Sequence, residues 1–293
     1  MYQRSKELWE THRDSASLKT ALTTSSENDS VLCPAHTCNI NTGQGFSNIN
    51  LDSFADHAHL ICSLDFSDNM LRSLPSGFCN NFPSLTLLNI SENHLAYLPD
   101  DFVGEQNTLQ VLILDHNQMQ TLPPAIGKCG SLTFLNLSFN KLASLPDEFA
   151  GAMKSLQVLN LSGNPLFRLP ACVVSSTELQ ELYASQTGIE ELPDAFPQHS
   201  ELTKLHLNNN AISRLPASFA NLTHLVDLDL TGLKWIESQD AKASVTSSAF
   251  SAFLDANPLL KRIDKKVCDH NSCLQFCKSL VLLLGHFIGD DEF

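Results

Sequence analysis

Four residues near the end of the chain have types and spacing that could bind a metal. Cys268, His270, Cys273 and Cys277 fall within ten residues of one another, and Cys and His at short spacing can hold zinc. Their intervals are irregular, however, and no further pair of this kind exists. Buried cysteines often act simply as small apolar side chains. We therefore predict neither a metal nor a cofactor.

A second candidate for chemistry is His206, which the repeat described below places beside Asp227 and Asp229. A histidine next to a carboxylate can act as an acid–base pair, but an open, hydrated surface does not shift pKa values usefully. The chain has no G-x-S-x-G, H-E-x-x-H, phosphate-binding loop or EF-hand loop, and Gly43-x-Gly45 lacks the third glycine of a dinucleotide fingerprint. We predict that the protein is not an enzyme.

A repeat of 23 or 24 residues would position His206, Asp227 and Asp229. Each unit follows the pattern L-x-x-L-x-L-x-x-N-x-L-x-x-L-P-x-x-F, in which the alternating leucines predict a half-buried strand. No single unit could bury its leucines alone, so the units must stack. Eight units are anchored at Asn69, Asn93, Asn117, Asn140, Asn164, Thr187, Asn210 and Leu233.

The parts of the repeat have separate physical roles. The anchoring amide can satisfy backbone groups in its own turn and in the neighbouring one, which predicts a ladder of asparagines. Each Leu-Pro pair directs the outer arm away from further sheet pairing. The aromatic residues expected to pack beneath the convex side are Phe102, Phe149, Phe196 and Phe219.

Residues 57–236 resemble the intracellular leucine-rich repeat proteins, in particular the short-repeat subclass with L-P-x-x-F outer arms found in Ras-pathway scaffold and plant Ras-group repeat proteins. This resemblance implies an α/β fold. The fold would be a leucine-rich repeat solenoid with a curved, parallel inner sheet of about eight strands and a helical C-terminal cap.

We divide the chain into three regions. Residues 1–45 are predicted to be a polar, mobile segment, and residues 46–236 are the solenoid with a degenerate first turn. Residues 237–293 are the helical cap, with helices expected over 246–260 and 273–287. The cap helices would cover the core that the last repeat exposes.

Charge and hydropathy limit which kinds of partner and which cellular compartment the sequence favours. The chain has 18 basic and 32 acidic residues, and its net charge of −14 arises from the stretch 21–233, which holds 7 basic and 21 acidic residues. This excess argues against nucleic acid and favours a protein partner with a basic or mixed surface. The apolar run 280–284 is too short for a membrane span, which needs about 20 residues. Scattered cysteines and the lack of an apolar signal region favour a cytoplasmic protein.

The concave face of the sheet is the predicted binding surface. Side chains two, four and six positions before each anchor should point out of it. They are apolar in repeats two to five and charged in repeats six to eight, and an apolar patch beside a charged rim is typical of a protein-binding site. Alternatively, the aliphatic members only fill out the sheet. The predicted partner-binding residues are Leu87, Val111, Ile113, Phe134, Phe139, Val158, Tyr183 and His206.

These observations favour a non-enzymatic interaction module or scaffold that acts in intracellular signalling. An alternative comes from residues 272–285, which resemble the elongin-binding box of ubiquitin-ligase substrate receptors. Cys277 and Val281 match that box, and Cys273 stands at the position of its leucine. This alternative predicts a substrate receptor of an elongin–cullin ligase, with Cys273, Cys277, Val281 and Leu284 recruiting the ligase. In a cap helix, the same residues would form the apolar face.

Overall fold

The computed structural model describes residues 37–39 and 45–233, except 57, 105, 106, 175, 194, 195, 197–200, 214, 215 and 231. Within this part, nine three-residue strands form a single open sheet, with every neighbouring pair parallel and the order following the chain. The strands are β1 (Thr37–Asn39), β2 (Ser63–Asp65), β3 (Leu87–Asn89), β4 (Val111–Ile113), β5 (Phe134–Asn136), β6 (Val158–Asn160), β7 (Glu181–Tyr183), β8 (Lys204–His206) and β9 (Asp227–Asp229).

The strand register confirms the predicted repeat. Leu64 pairs with Leu88, and Leu88 pairs with Leu112, so equivalent positions of successive units lie side by side. All eight repeat strands are present, and the leucine-rich repeat solenoid is confirmed. β1 pairs with β2 at the edge of the sheet and was not predicted from the sequence. The predicted helices over 246–260 and 273–287 lie outside the described residues.

Short helical turns connect the strands. Pro123, Pro146 and Pro216 each precede such a turn in extended conformation, since a fixed φ and a missing N–H suit proline to the start of a helix. The 3-10 helices are Leu51–Phe54, Ala58–Leu60, Phe78–Asn81, Pro124–Lys128, Asp147–Lys154 and Ala217–Asn221, and the one α-helix of the described residues, α1, is Ala171–Val174. In the described part of the chain, no helix combines the length and apolarity needed to cross a membrane.

The main core lies between the sheet and these turns. The central leucines of β2 to β8 are almost completely buried, and so are the four predicted outer-arm aromatics, Phe102, Phe149, Phe196 and Phe219. The turns of successive repeats also pack closely. A Cβ on Gly151 would lie 2.2 Å from the Gly127 carbonyl oxygen, so only glycine fits there.

The buried asparagines form the predicted ladder. Asn117 Nδ2 donates to the Ile90 carbonyl of the preceding repeat at 2.9 Å and to the Leu114 carbonyl of its own repeat at 3.1 Å. Its Oδ1 accepts the Leu95 N–H at 2.9 Å. Asn93, Asn140 and Asn164 repeat this arrangement. One side chain therefore joins two repeats at each of these turns.

Thr187 interrupts the ladder because it has no amide. Its Oγ1 lies 3.0 Å from the Ala184 carbonyl oxygen of its own repeat. In the preceding repeat, the Leu166 N–H donates to the Asn164 carbonyl at 2.9 Å, and the Phe167 N–H donates to the Thr187 carbonyl at 3.0 Å. Phe167 adopts a φ of +59° and leaves 57% of its surface exposed. A single change of anchor thus reshapes the adjoining turn.

Candidate functional site

The strands carry a second layer of side chains on the face opposite the core, which we term the open face. It is the face that the sequence analysis predicts to be concave. Its first and third strand positions hold the residues six and four places before each anchor. Their apolar members cluster separately from the main core, so the open face has a packing arrangement of its own.

Five of the predicted partner-binding residues meet on this face. Leu87, Val111, Ile113 and Phe134 pack together with the partly buried Val158, a set we term the open-face cluster. The four fully clustered members expose only 2–8% of their surface, because neighbouring strands bring their side chains into contact. Such burial agrees with the sheet-filling alternative and limits the area each residue can offer. Their role in binding stays a prediction.

Most neighbouring polar positions on the open face are paired within their own repeat. The Asn89 Oδ1 accepts both the Ser91 N–H at 3.1 Å and the Ser91 hydroxyl at 2.8 Å. The Asn136–Ser138 pair has the same geometry. These bonds satisfy polar groups that the sheet buries.

Repeat three departs from this pairing, since it has Ile113 and Asp115 at the equivalent positions. Asp115 is only 2% exposed, and its Oδ1 has no hydrogen-bond partner among the described residues. Burial raises the pKa of this carboxyl from 3.8 to about 7, and the nearby charge of Glu92 contributes to the rise. The sequence analysis did not single out Asp115, although its departure from serine was visible there.

The charged part of the open face is internally paired. The Tyr183 hydroxyl donates to Glu181 Oε2 at 2.7 Å, and Lys204 Nζ lies 3.1 Å from Glu181 Oε1. His206 packs edge-on against the Tyr183 ring at 4.9 Å, and its Nε2 lies 3.0 Å from Asp227 Oδ2 without hydrogen-bond alignment. Tyr183 is only 4% exposed. These two predicted site residues therefore contact each other.

The residue before each anchor is left-handed, and we term these positions the left-handed column. Six of its members are not glycine and have φ values between +54° and +57°. A side chain in this region costs roughly 1–2 kcal/mol relative to ordinary backbone. The turn imposes this conformation and presents the side chain at the edge of the sheet. The column consists of Asp68, Glu92, His116, Phe139, Gly163, Gln186, Asn209 and Gly232.

Phe139 is the most exposed of the predicted partner-binding residues. It leaves 40% of its surface exposed and stacks on the His116 ring, with centroids 4.6 Å apart and an interplanar angle of 15°. The next repeat makes room with Gly163, where a Cβ would lie 2.7 Å from Phe139 Cδ1. An exposed ring is thus fixed in place by both neighbouring turns.

A groove of about 620 Å³ runs along this edge across repeats one to four. The sequence analysis did not predict this groove, because the groove depends on the left-handed backbone. The residues of the left-handed column could still be identified by aligning the repeats. Met70, which is 55% exposed, adds a second apolar side chain. The residues that line the groove are Gly45, Asp68, Asn69, Met70, Glu92, Asn93, His94, His116, Asn117, Gln118 and Phe139.

Within the described residues, nothing forms a metal-binding group of three or more His, Cys, Asp or Glu side chains. The thiol of Cys129 is buried, which raises its pKa to about 12 and keeps it protonated. The sequence candidates Cys268, His270, Cys273 and Cys277 lie outside the described part, as do Val281 and Leu284 of the ligase-recruiting prediction.

Comparisons with known proteins identify the repeat. The leucine rich repeat family model matches residues 83–142, 130–189 and 177–232. At 26% identity, the leucine-rich repeat domain of APL1B has a TM-score of 0.58 over 79% of this chain and 59% of that one. At the same identity, the Drosophila Toll–Spatzle complex has a TM-score of 0.54 over 64% of this chain and 29% of that chain.

A third solved structure is YopM of Yersinia pestis, which is 22% identical to this chain with a TM-score of 0.50. The match covers 68% of this chain and 56% of the YopM chain. At this identity the likeness shows the fold alone. The chain therefore spans about three-fifths or less of the length of these three solved structures. A search of curated proteins finds no match.

Proposed function

Because the chain belongs to the leucine-rich repeat family, whose model spans residues 83–232, we propose that it binds a partner protein through the open face and the adjoining groove. Proteins of this family are typically non-enzymatic modules of protein–protein interaction. The Toll structure is a complex with Spatzle, which illustrates that role in a similar solenoid.

The exposed, immobilised ring of Phe139 is the observation that carries this proposal. It is 40% exposed although it stacks on His116 and packs over Gly163. The core does not need the ring, and its left-handed backbone is unfavourable, so stability alone does not account for it. A rigid aromatic at the rim of a groove is a typical anchor for a protein partner.

The other predicted contacts lie on the strands of the open face and do not line the groove. The open-face cluster supplies a packed apolar floor, and Tyr183 with His206 supplies a polar end. The acidic balance of residues 21–233 favours a partner with a basic or mixed surface rather than nucleic acid. We place this scaffold role in signalling in the cytoplasm, in line with the four free cysteines of the described part. The elongin–cullin alternative depends on residues outside that part, and the proposal does not require it.

The test is capture of partners from cell lysate by the tagged full chain and its variants. We expect Phe139→Ala combined with Tyr183→Ala to lose proteins that the unmodified chain retains, because the anchor and the polar end are both removed. Tyr97→Ala is the matched control, since Tyr97 is 57% exposed but does not line the groove.

Thermal unfolding of each variant separates lost binding from lost structure. Because Tyr183 is buried, Phe139→Ala is also tested alone, and we expect it to unfold as cooperatively as the unmodified chain. Retention of every partner by the folded double variant would place the binding surface elsewhere.

A further inference from the structure

The segment that follows each anchor lies beside the equivalent segment of the next repeat, and we term these residues, one to four places after each anchor, the turn ribbon. The residue one place after an anchor donates its N–H to the preceding repeat, as in Lys141 to the Met119 carbonyl at 2.8 Å. Residues three places after successive anchors are also neighbours, since the Glu190 N–H donates to the Phe167 carbonyl at 3.4 Å. The ribbon therefore aligns the exposed side chains of successive turns in rows.

Phe167 lies on this ribbon and shares three features with Phe139. It leaves 57% of its surface exposed, and its φ of +59° is left-handed. Its ring packs over a glycine of the next repeat, because a Cβ on Gly188 would lie 3.1 Å from Phe167 Cδ1, and Phe139 meets Gly163 in the same way. Tyr97 is equally exposed but does not have the left-handed backbone. Phe167 is thus a second exposed ring that the adjoining turn holds in place.

The two rings lie at the two ends of one turn. Phe139 covers Gly163, and Phe167 follows Gly163 by four residues. Four fully extended residues span at most about 14 Å, which sets the upper limit for the distance between these two Cα atoms. A helix rises 1.5 Å per residue, so about nine helical residues cover this distance. One short element of a partner can therefore contact both rings.

The backbone around the rings is already hydrogen-bonded within the solenoid. The Phe139 N–H donates to the Ser162 carbonyl at 2.7 Å, and the Phe167 N–H donates to the Thr187 carbonyl at 3.0 Å. The Phe167 carbonyl accepts the Glu190 N–H. Addition of a partner strand needs main-chain groups that can pair with it, so a partner docks here through side chains. A helix suits this mode, because it satisfies its own backbone and presents an apolar stripe.

Two exposed cations lie within two residues of the rings. Lys141 and Arg168 form no ion pair within the described residues. They reverse the local charge of a stretch, residues 21–233, that holds 7 basic and 21 acidic residues. Glu190 and Glu191 belong to repeat six, which places the negative charges of the ribbon beyond Phe167. Carboxylates of a partner are therefore attracted to the side of repeats four and five.

We propose that this pair of rings binds an acidic amphipathic helix of the partner, with apolar side chains against Phe139 and Phe167 and carboxylates beside Lys141 and Arg168. This inference rests on the proposed function and adds Phe167 as a second anchor. It also specifies the segment that binds: a helix of two to three turns whose apolar residues follow the spacing i, i+3 or i+4, and i+7. A partner with such a helix has a mixed surface.

The experiment uses a displayed library of random 20-residue peptides selected on the immobilised full chain. Selected peptides are synthesised unchanged, with glutamine and asparagine in place of their acidic residues, and with proline at the centre. Their Kd values are measured by calorimetry on the unmodified chain, on Phe139→Ala, on Phe167→Ala and on Lys141→Gln combined with Arg168→Gln. Thermal unfolding shows that each variant is folded.

Each variant has a matched control. Tyr97→Ala removes an aromatic side chain that is as exposed as Phe167 but is not left-handed. Lys128→Gln combined with Lys154→Gln removes two exposed cations from the 3-10 helices Pro124–Lys128 and Asp147–Lys154, so the net charge changes by the same amount. Both controls should bind the peptides as the unmodified chain does.

We expect the selected peptides to be acidic with apolar residues at helical spacing. Phe139→Ala and Phe167→Ala should each weaken their binding by about tenfold or more, because each removes an anchor. The Lys141 and Arg168 variant should weaken it by about threefold to tenfold at low salt, and by less at high salt, since exposed charge pairs are screened. Proline at the centre of the peptide should abolish binding.

Other outcomes overturn the inference in distinguishable ways. Peptides that need Phe139 but not Phe167 would overturn the two-ring site and leave the proposed function in place. Peptides that tolerate the central proline would overturn the helix, and equal losses in the Lys141 and Arg168 variant and its control would overturn the acidic assignment. A selection without binding peptides would overturn the inference while capture from lysate still tests the proposed function. Peptides that are insensitive to both phenylalanines would contradict both.

Discussion

Two neighbouring positions in every turn of the solenoid differ in almost every respect. The anchors from Asn69 to Asn164 are one residue type, are buried and make the same bonds in successive repeats. The left-handed column, one residue earlier, contains aspartate, glutamate, histidine, phenylalanine, glutamine, asparagine and glycine. The anchors fix the turn, and the column varies on the surface that the turn creates. The comparison separates what the fold requires from what recognition can use.

Removing one anchor should produce the largest effect. Asn117→Ala deletes an amide that donates to the Ile90 and Leu114 carbonyls and accepts the Leu95 N–H. These groups would remain buried without partners, so we expect a loss of about 3–5 kcal/mol in the free energy of unfolding. Urea denaturation measures it. As the control, His116→Ala in the column should cost no more than about 1 kcal/mol, and equal losses would remove the distinction.

A methyl group in the column should test how closely it is packed. Gly163→Ala puts a Cβ 2.7 Å from the Phe139 ring, at a φ of +72°. We expect a loss of about 1–3 kcal/mol in the free energy of unfolding, because strain and overpacking add. Gly130→Ala is the control, since a Cβ there meets nothing within 4 Å. If the two variants were equally stable, Phe139 would not be held by its neighbour.

The Asp115 carboxylate should make repeat three sensitive to pH. Its pKa is about 7 in the folded chain against 3.8 for the ordinary group, so ionisation favours the unfolded state. The penalty is absent below about pH 4, grows as the pH rises toward 7 and is constant above it. We therefore expect Asp115→Asn to raise the free energy of unfolding by about 1–3 kcal/mol at pH 8.

The same variant at pH 4 should match the unmodified chain closely. Thermal unfolding midpoints at a series of pH values measure the difference. A difference that did not change with pH would mean that the carboxylate is not buried as described.

Restoring the missing anchor should produce the smallest effect. Thr187→Asn offers an amide to the preceding repeat and a carbonyl oxygen to the Leu166 N–H, so we expect a gain of about 1 kcal/mol in the free energy of unfolding. Phe167 should then leave its left-handed conformation, which Cα chemical shifts would report. Thr187→Ser is the control. Unchanged shifts at Phe167 would assign its conformation to Pro165 or Arg168 instead.

The sequence predicted the features that depend on repetition. Eight strands, the buried outer-arm phenylalanines and the asparagine ladder follow from residue types at fixed spacing, because each recurs often enough to define its role. The positions of His116 and Phe139 before the anchors could also be aligned. Repetition even predicted that Gly163 differs from them in size.

Features produced by contact between particular neighbours could not be predicted. The stacking of His116 on Phe139 depends on a left-handed backbone that neither histidine nor phenylalanine predicts. Tyr183 was predicted to contact a partner, but the sequence did not show that a hydrogen bond to Glu181 and packing on His206 would bury it. The strand Thr37–Asn39 lacks the repeat pattern and pairs through its backbone.

The Thr187 junction has a consequence for how the array unfolds. In a solenoid each repeat is coupled only to its neighbours, so cooperativity depends on the weakest interface. At the other ladder turns from Asn93 to Asn164 a side-chain amide donates to the preceding repeat, whereas Thr187 Oγ1 bonds to Ala184 in its own repeat and to Asn210 in the following one. Hydrogen exchange should therefore divide the described repeats into two blocks at this junction, with amides of repeats two to five exchanging together and those of repeats six to eight exchanging first.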